Sequence, residues 1–145
     1  MSSPRYKTPE EAEEAFYRAF EEADLNAMMR IFADDEQVSC AHPMGTLLQG
    51  RDSVRESWRQ LFSGDQHMRF RTEPQLLRAD ENVAVRVVLE HIYLQGDSRP
   101  RPALLATNVF IRTGQGWRML LHHASPSVID NTRRESQEES PRALH

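Results

Sequence analysis

The spacing of apolar residues changes from a helical period to a two-residue period near residue 67, and this change restricts the fold more than any other feature. Before it, apolar side chains recur at helical spacing, as at Val54, Trp58 and Phe62. After it, four longer segments alternate, and the loop TGQG joins the last two as a hairpin signal. Helices collected early and strands collected late predict an α+β fold, in which a cone-shaped, curved antiparallel sheet packs on three N-terminal helices.

Capping signals and composition set the limits of the domain. Thr8 can cap the first helix, with Pro9 at its first position and Glu11 completing a capping box. From residue 130 the sequence DNTRRESQEESPRALH is polar, which is typical of a frayed or disordered tail. We therefore predict an N-terminal arm at residues 1–7, a single domain at 8–129 and a tail at 130–145.

Composition argues against several classes of function. The net charge is −4 and the basic residues are scattered among acids, so we expect no nucleic-acid partner. The single cysteine, Cys40, excludes a disulfide within the chain and is expected to be a small buried hydrophobe. No apolar run approaches the ~20 residues of a membrane span, and no signal peptide is evident, so we expect a reducing, cytoplasmic setting without membrane contact. No spacing such as HxH or HExxH is present, and we expect neither a metal nor a cofactor.

The last hairpin decides which histidine faces the interior. With TGQG as the loop, Phe110 pairs with Met119, Asn108 with Leu121 and Ala106 with His123, and these partners share one face. That face has the larger aromatic bulk, so we expect it to pack on the helices. His123 is then predicted inside and His122 outside, and a one-residue slip of register would exchange the two.

Six residues form the predicted ligand site at the mouth of an apolar pocket. A strand ending in VSCAHP directs Cys40 and His42 to one side, and the strand NVAVRVVLEHIYLQG is expected to turn His91 inward and Glu90 outward. Trp58 is either core or one wall of the cavity. The candidate ligand-binding residues are His42, Trp58, His91, Asn108, Phe110 and His123. His123 and His42 are the candidates for a general acid or base.

Two segments, CAHPMGTLLQGRDSVRESWRQLF and LATNVFIRTGQGWRMLLHHAS, resemble bacterial SnoaL-like proteins of the nuclear transport factor 2-like superfamily. The resemblance covers residues 8–127 and implies a cystatin-like cone. The final strands are also similar to the association domain of calcium/calmodulin-dependent protein kinase II. That resemblance implies a pocket histidine and serine at His123 and Ser125, and it places a pocket arginine where this chain has Asn108.

Three functions follow from this resemblance. The first is a dimeric protein that binds a small, largely apolar molecule in a conical pocket, with no assigned catalysis. The second is an enzyme of the cyclase, isomerase or dehydratase kind that uses a pocket histidine as general acid or base. The third is an oligomerisation module like the kinase association domain.

The outer face of the sheet predicts a homodimer. Its expected apolar residues are Val88, Ile92, Leu105, Val109, Ile111 and Leu120, and such a patch marks an association site. Polar contacts are expected from Arg86, Glu90, Arg118 and His122. A sheet-against-sheet dimer with two-fold symmetry would be self-complementary.

Overall fold

The computed structural model describes residues 4–64 and 67–127, and within them it has three helices and a six-stranded sheet. The helices are α1 (Pro9–Glu22), α2 (Leu25–Ile31) and α3 (Arg51–Phe62). The strands are β1 (Ser39–Ala41), β2 (Leu48–Gln49), β3 (Met68–Ala79), β4 (Val83–Leu94), β5 (Leu104–Thr113) and β6 (Gly116–Pro126). The α+β prediction is confirmed, whereas the predicted tail at 130–145 lies outside the described residues.

The helix starts follow the capping rules. The side chain of Thr8 accepts a hydrogen bond from the backbone N–H of Glu11 at 3.1 Å, and Pro9 is the first residue of α1. Asp24 caps α2 in the same way through the N–H of Ala27 at 3.0 Å. These caps position α1 across the sheet, where its buried face meets the core.

Arg51 fixes the start of α3 against the end of α2. Its guanidinium donates to the carbonyl oxygens of Ala33 at 2.7 Å, Met29 at 2.9 Å and Phe32 at 3.2 Å. Carbonyls at a helix C-terminus lack partners within the helix, so one planar donor group satisfies several of them at once. This contact orients α3 so that Trp58 enters the core.

The sheet is open, curved and mixed rather than wholly antiparallel. Its strand order is β2-β1-β6-β5-β4-β3, and the short β1 runs parallel to β6 while the other neighbours are antiparallel. The parallel pairing sets Cys40 opposite His122 and Ala41 opposite His123. As a result, the early segment that carries His42 lies beside the last strand, at the centre of the molecule.

A bulge in β6 reverses the predicted orientation of the two histidines. Phe110 pairs with Met119 as predicted, but Leu120 is an extra residue, so Val109 pairs with Leu121 and Asn108 with His122. Because side chains alternate along a strand, one extra residue moves every later side chain to the other face. His122 is therefore buried at 1% exposure and His123 is exposed, so the predicted inward position of His123 is wrong.

The predicted orientation of β4 is also wrong, because the side chains that were expected to point outward point toward the helices. Arg86 pairs with Asn108 and Val88 with Ala106, so the inward set of β4 includes Arg86, Val88 and Glu90. His91 points outward, where its Nε2 lies 3.1 Å from Oε1 of Glu73. The helix-packed face of β4 carries charges because they meet polar groups of α1, and the more uniformly apolar face is the one that the helices leave uncovered.

The corrected orientations of β4 and β6 change which residues lie on the outer face of the sheet. Arg86, Val88, Glu90 and His122 belong to the interior, and Arg118 is buried beneath the N-terminal arm, where its guanidinium lies over the ring of Tyr6. Ile111 and Leu120 pack partly against the core, and Ile92 pairs with Phe70, whose ring packs on α1. Of the predicted apolar set, Leu105, Val109 and Ile111 remain on the outer face by the register of β5.

The core is an aromatic cluster between the helices and the sheet. Trp58 and Phe16 are fully buried, with ring centroids 5.6 Å apart, and Phe20 lies 4.9 Å from Trp58 in an edge-to-face arrangement. Burial of each such side chain contributes about 1.5–3 kcal/mol. None of the helices in residues 4–64 and 67–127 combines the length and the apolar surface that crossing a membrane requires.

Candidate functional site

A chain of buried polar side chains crosses the interior from α1 to β6. The hydroxyl of Tyr17 donates to Oε2 of Glu90 at 2.5 Å. Nδ2 of Asn108 donates to the Tyr17 oxygen at 3.1 Å and to Oε2 of Glu13 at 3.0 Å. Oδ1 of Asn108 lies 2.7 Å from Nδ1 of His122. These five residues are buried, and we refer to them as the polar chain.

The partners of Asn108 fix the orientation of its amide and the direction of its hydrogen bond with His122. A reversed amide would place its oxygen against the carboxylate of Glu13, so the amide nitrogen must face Glu13 and Tyr17. The amide oxygen then accepts a hydrogen bond from the Nδ1–H of His122. A neutral His122 is therefore the tautomer with its proton on Nδ1 and its lone pair on Nε2.

Burial shifts the two titratable ends of the polar chain in opposite senses. It raises the pKa of Glu90 to about 7, with a further increase from the charge of Glu13 and an opposing contribution from the Tyr17 hydrogen bond. It lowers the pKa of His122 to about 3, helped by His42 and His123. The same burial, with the charge of Glu90, holds the pKa of Tyr17 well above its usual value. Near neutral pH, His122 and Tyr17 are uncharged and Glu90 can gain or lose a proton.

Arg86 compensates the charge of Glu13 at the end of the polar chain nearest to solvent. Its Nε donates to Oε1 of Glu13 at 2.9 Å, and its Nη1 donates to Oε1 of Glu10 at 3.0 Å. Arg86 and Glu13 are both buried, whereas the side chain of Glu10 is 57% exposed. A buried carboxylate requires such a partner, since an uncompensated buried charge is strongly destabilising.

A second wall of the interior is formed by α3 and β1. Nε2 of His42 lies 3.0 Å from Oγ of Ser57 and 3.6 Å from Sγ of Cys40, and its ring is 4.7 Å from that of Trp58. Burial lowers the pKa of His42 and raises the pKa of Cys40 to about 12, the latter with a contribution from Glu90. Cys40 is therefore a thiol at neutral pH, as expected of a small buried hydrophobe.

The indole nitrogen of Trp58 has no hydrogen-bond partner among the residues that the structure describes. Trp58 is 0% exposed, so water in bulk does not reach this N–H either. Its ring lies 5.9 Å from that of His122, measured between centroids. A buried unpaired donor costs roughly 1–3 kcal/mol, which makes this atom unusual in an otherwise satisfied interior.

An open cleft of about 270 Å³ leads to the outer end of the polar chain. It is lined by Glu13, Glu14, Tyr17, Arg18, Glu21, Phe70 and Thr72. Two of its lining residues, Glu13 and Tyr17, belong to the polar chain. Among residues 4–64 and 67–127, no group of three or more histidine, cysteine, aspartate or glutamate side chains is placed to hold a metal ion.

The structure brings together four of the six predicted ligand-site residues and separates the other two. His42, Trp58, Asn108 and Phe110 lie in or beside the interior. His91 and His123 lie on the outer face, which removes the structural basis for their predicted role.

Five residues of the interior were absent from the predicted site: Glu13, Tyr17, Arg86, Glu90 and His122. One sequence signal could have found two of them. Glu13 and Tyr17 are four positions apart on α1, on the side that also carries Phe16 and Phe20. This spacing indicates that the charged side chain of Glu13 faces the core.

Comparisons of the sequence and of the structure with known proteins point to one family. A family profile described as the SnoaL-like domain matches residues 10–129. A crystal structure from Thiobacillus denitrificans, named for the calcium/calmodulin-dependent protein kinase type II association domain, is 42% identical with a TM-score of 0.82, over 86% of this chain and 98% of that one.

Two further relatives extend the comparison. A Streptomyces avermitilis protein of the NTF2-like family, named as a dehydratase, is 30% identical with a TM-score of 0.71, over 81% of this chain and 91% of that one. The F-box protein SKIP8 of Arabidopsis thaliana is 31% identical over 116 residues, which are 80% of this chain. The chain spans about half the length of this curated relative, 48% of it.

Proposed function

Because the chain belongs to the SnoaL-like family, we propose that it is a homodimeric protein that binds a small, largely apolar molecule inside its cone, at the polar chain of Glu13, Tyr17, Glu90, Asn108 and His122. The observation that carries this proposal is the polar chain itself. A core that serves only stability is better built from apolar side chains, since well-packed replacements of buried ion pairs are often neutral or stabilising. Polar groups with shifted pKa values inside an aromatic interior are typical of a functional site.

The surroundings define the class of ligand. Phe16, Trp58 and Phe110 are fully buried around the polar chain and favour an apolar skeleton. The side chains of Tyr17, Asn108 and His122 favour one or two oxygen atoms on that skeleton. The cleft beside Glu13 and Tyr17 brings solvent to the outer end of the polar chain.

Thermal unfolding with simple cyclic probes tests the binding proposal. Cyclohexanol, cyclohexanone and 2-naphthol carry one oxygen on an apolar ring, and a probe at a hundredfold excess over its dissociation constant stabilises the fold by about 2.7 kcal/mol. We expect at least one probe to raise the melting temperature of the wild type by several degrees and to have no such effect on Tyr17→Phe. Thr107→Val, which changes the outer face of β5, is the matched control and should respond like the wild type. The proposal is wrong if no probe stabilises the wild type, or if both variants respond alike.

A second candidate function, general acid–base catalysis, is favoured by one observation. Glu90, with its pKa near 7, accepts a short hydrogen bond from Tyr17 in a buried site. Its carboxylate could remove a proton from the carbon next to a carbonyl, leaving an enolate, and return a proton to the same carbon. The dehydratase name of the Streptomyces relative is compatible with proton transfer of this kind.

Deuterium exchange tests this second candidate without knowledge of the substrate. Cyclohexanone in D₂O exchanges the protons next to its carbonyl, and NMR follows the loss. We expect the protein to accelerate exchange with a rate that rises through pH 7 as Glu90 ionises, and Glu90→Gln to lose the acceleration. Glu81→Gln, at an exposed turn, should keep it. Equal rates with the wild type and with Glu90→Gln would exclude this role.

The outer face of the sheet supports the homodimer. Partly exposed apolar side chains from β4, β5 and β6 lie together on the face away from the helices: Val85, Val87, Leu105, Val109 and Leu121. A contiguous apolar patch of this kind marks an association site, and a two-fold axis would let it cover itself. The relative named for an association domain, at 42% identity, adds support for assembly.

A further inference from the structure

An open cleft of about 540 Å³ lies between the end of α2, the start of α3 and the β5–β6 hairpin. Of the described residues that line it, none belongs to the polar chain. Its charged lining consists of three arginines and two aspartates: Arg30, Arg51, Arg118, Asp34 and Asp35. Ile111 forms part of its apolar wall. The cleft is therefore large enough for a small molecule, at a place separate from the interior.

Arg118 places a buried cation beside this cleft. The residue is 5% exposed, and its guanidinium donates to the carbonyl oxygens of Pro4 at 2.6 Å and of Trp117 at 3.2 Å. Its Cζ also lies 5.1 Å from the centroid of the Tyr6 ring. In the part of the chain that the structure describes, no carboxylate lies within 4.0 Å of this guanidinium. Burial accordingly lowers the pKa of Arg118.

Arg51 is a second guanidinium in the same lining, and it too belongs to no ion pair of the described residues. Its three hydrogen bonds to carbonyl oxygens leave two of its five N–H groups unengaged, and the two bonds of Arg118 leave three. A backbone link joins the two surroundings. Arg51 binds the carbonyl of Ala33, whose N–H donates at 2.9 Å to the carbonyl oxygen of Met119, the residue after Arg118.

The buried arginine of β4 shows what Arg118 lacks. Arg86 is 8% exposed, which is close to the value for Arg118, but its guanidinium has carboxylate partners in Glu13 and Glu10. A buried charge without such compensation is destabilising. An anion bound in the cleft would give Arg118 the compensation that Glu13 gives Arg86.

From this contrast we propose that the cleft binds a small organic monocarboxylate, whose oxygens accept hydrogen bonds from the unengaged N–H groups of Arg51 and Arg118. Planar guanidinium groups match a carboxylate in shape and form charge-assisted hydrogen bonds with it. The site is separate from the interior, so this inference is independent of the proposed function.

The lining also selects the charge of the ligand. Three arginines and two aspartates leave one net positive charge, which a single carboxylate neutralises. Asp34 and Asp35 are exposed and would repel the second charge of a dianion. Ile111, which packs partly against the core, offers apolar contact to the body of the ligand.

NMR titration of the intact protein at neutral pH tests the inference with benzoate, benzamide and sulfate. Benzoate and benzamide have nearly the same shape, but only benzoate is charged. We expect benzoate to bind roughly tenfold or more tightly than benzamide, because hydrogen bonds between ionised groups are stronger, and sulfate to bind more weakly than benzoate. Benzoate should move the backbone amide signals of Asp35 and Gln115, which line this cleft, and leave those of Glu14 and Arg18 in place.

Several results would overturn the monocarboxylate site. Equal affinity for benzoate and benzamide would show that the charge is not recognised. Sulfate that binds as tightly as benzoate would reveal a general attraction for anions. Signals that move only at Glu14 and Arg18 would assign benzoate to the cleft of the polar chain, and no binding at all would leave the site without support. None of these results changes the thermal unfolding test of the interior.

One pair of variants tests the buried cation. Arg118→Gln removes it from the lining and should weaken benzoate roughly tenfold. Arg112→Gln, at an exposed position of the same hairpin, is the matched control and should bind benzoate as the wild type does. Equal losses in the two variants would trace the binding to net charge alone and overturn the site.

A second pair keeps the test decisive if Arg118→Gln does not fold. Asp34→Asn removes an exposed negative charge from the lining and should strengthen benzoate binding roughly twofold or more. Glu81→Gln makes the same change of charge between β3 and β4 and should have no effect. An unchanged affinity in Asp34→Asn would contradict a carboxylate bound beside this aspartate.

Discussion

Glu90 and His122 show how one buried environment can produce opposite pH dependences of stability. The pKa of Glu90 is raised from 4.5 to about 7, so its contribution to stability is complete below pH 4.5 and is lost as the pH rises through 7. The pKa of His122 is lowered from 6.5 to about 3, so its contribution is complete above pH 6.5 and is lost as the pH falls toward 3. Between pH 4.5 and 6.5 the two dependences oppose each other, and the stability of the wild type changes little on their account.

Replacement of Glu90 by glutamine should separate the two effects. The free energy of unfolding of Glu90→Gln minus that of the wild type should rise between pH 4.5 and 7, by up to about 3 kcal/mol, and then stay level. Urea unfolding at several pH values measures this difference, in which the other groups cancel. A difference that does not change with pH would mean that Glu90 is not the group that titrates near neutrality.

Asn108 is the residue on which the polar chain depends. Asn108→Ala leaves Glu13, Tyr17 and His122 each without one partner, and we expect it to lower the free energy of unfolding by about 2–4 kcal/mol. Thr107→Ala, one position away on the outer face, should cost less than about 1 kcal/mol. Urea unfolding of both variants gives the comparison, and equal losses would contradict a special role for Asn108.

At the scale of elements, the order of helices and strands could be predicted from the sequence, but the faces of two strands could not. Period and capping determine where an element begins, and they identified α1, α3 and the β5–β6 hairpin correctly. The predicted orientation of β4 was wrong because charged residues such as Arg86 and Glu90 are typical of a surface. Their burial depends on hydrogen bonds to α1, which the sequence of β4 does not reveal. The second half of β6 was wrong because the bulge at Leu120 leaves no mark in the local sequence.

Deletion of Leu120 tests how the bulge works. Without this residue Met119 and Leu121 become neighbours and can pair in regular alternation with Phe110 and Val109, so His122 remains opposite Asn108. We expect the variant to fold with His122 still neutral and protonated on Nδ1, as read from its ring nitrogen signals by NMR. Insertion of an alanine between Leu121 and His122 should instead disturb those signals. If the deletion moves His122 to solvent, the register is determined elsewhere in the sheet.

At the scale of the whole molecule, the two faces of the sheet carry different kinds of side chains. The helix-covered face holds the polar chain and the aromatic core, whereas the other face presents apolar side chains from three strands. Leu76 and Leu77 on the edge strand β3 are exposed and add apolar surface at this edge of the sheet. The homodimer was inferred from a residue set of which Leu105, Val109 and Ile111 lie on this face, so the proposal now rests on a partly different patch.

A charge placed on this patch should separate the subunits. We expect Leu105→Glu to yield a monomer at micromolar concentration, because two like charges would meet near a two-fold axis in an apolar interface. Leu47→Glu, at an exposed position just before β2, is the control and should leave the assembly unchanged. Sedimentation velocity measures both, and a wild type that is itself monomeric would exclude the dimer.

The two adjacent histidines in β6 have a consequence for how this strand tolerates change over evolutionary time. Loss of one residue between the bulge and His122 would normally present a different kind of side chain to Asn108. Here the residue after His122 is another histidine, so a strand shortened in this way would still place an imidazole beside the amide oxygen. The repeated residue makes the internal hydrogen bond robust to a single-codon deletion, but not to an insertion.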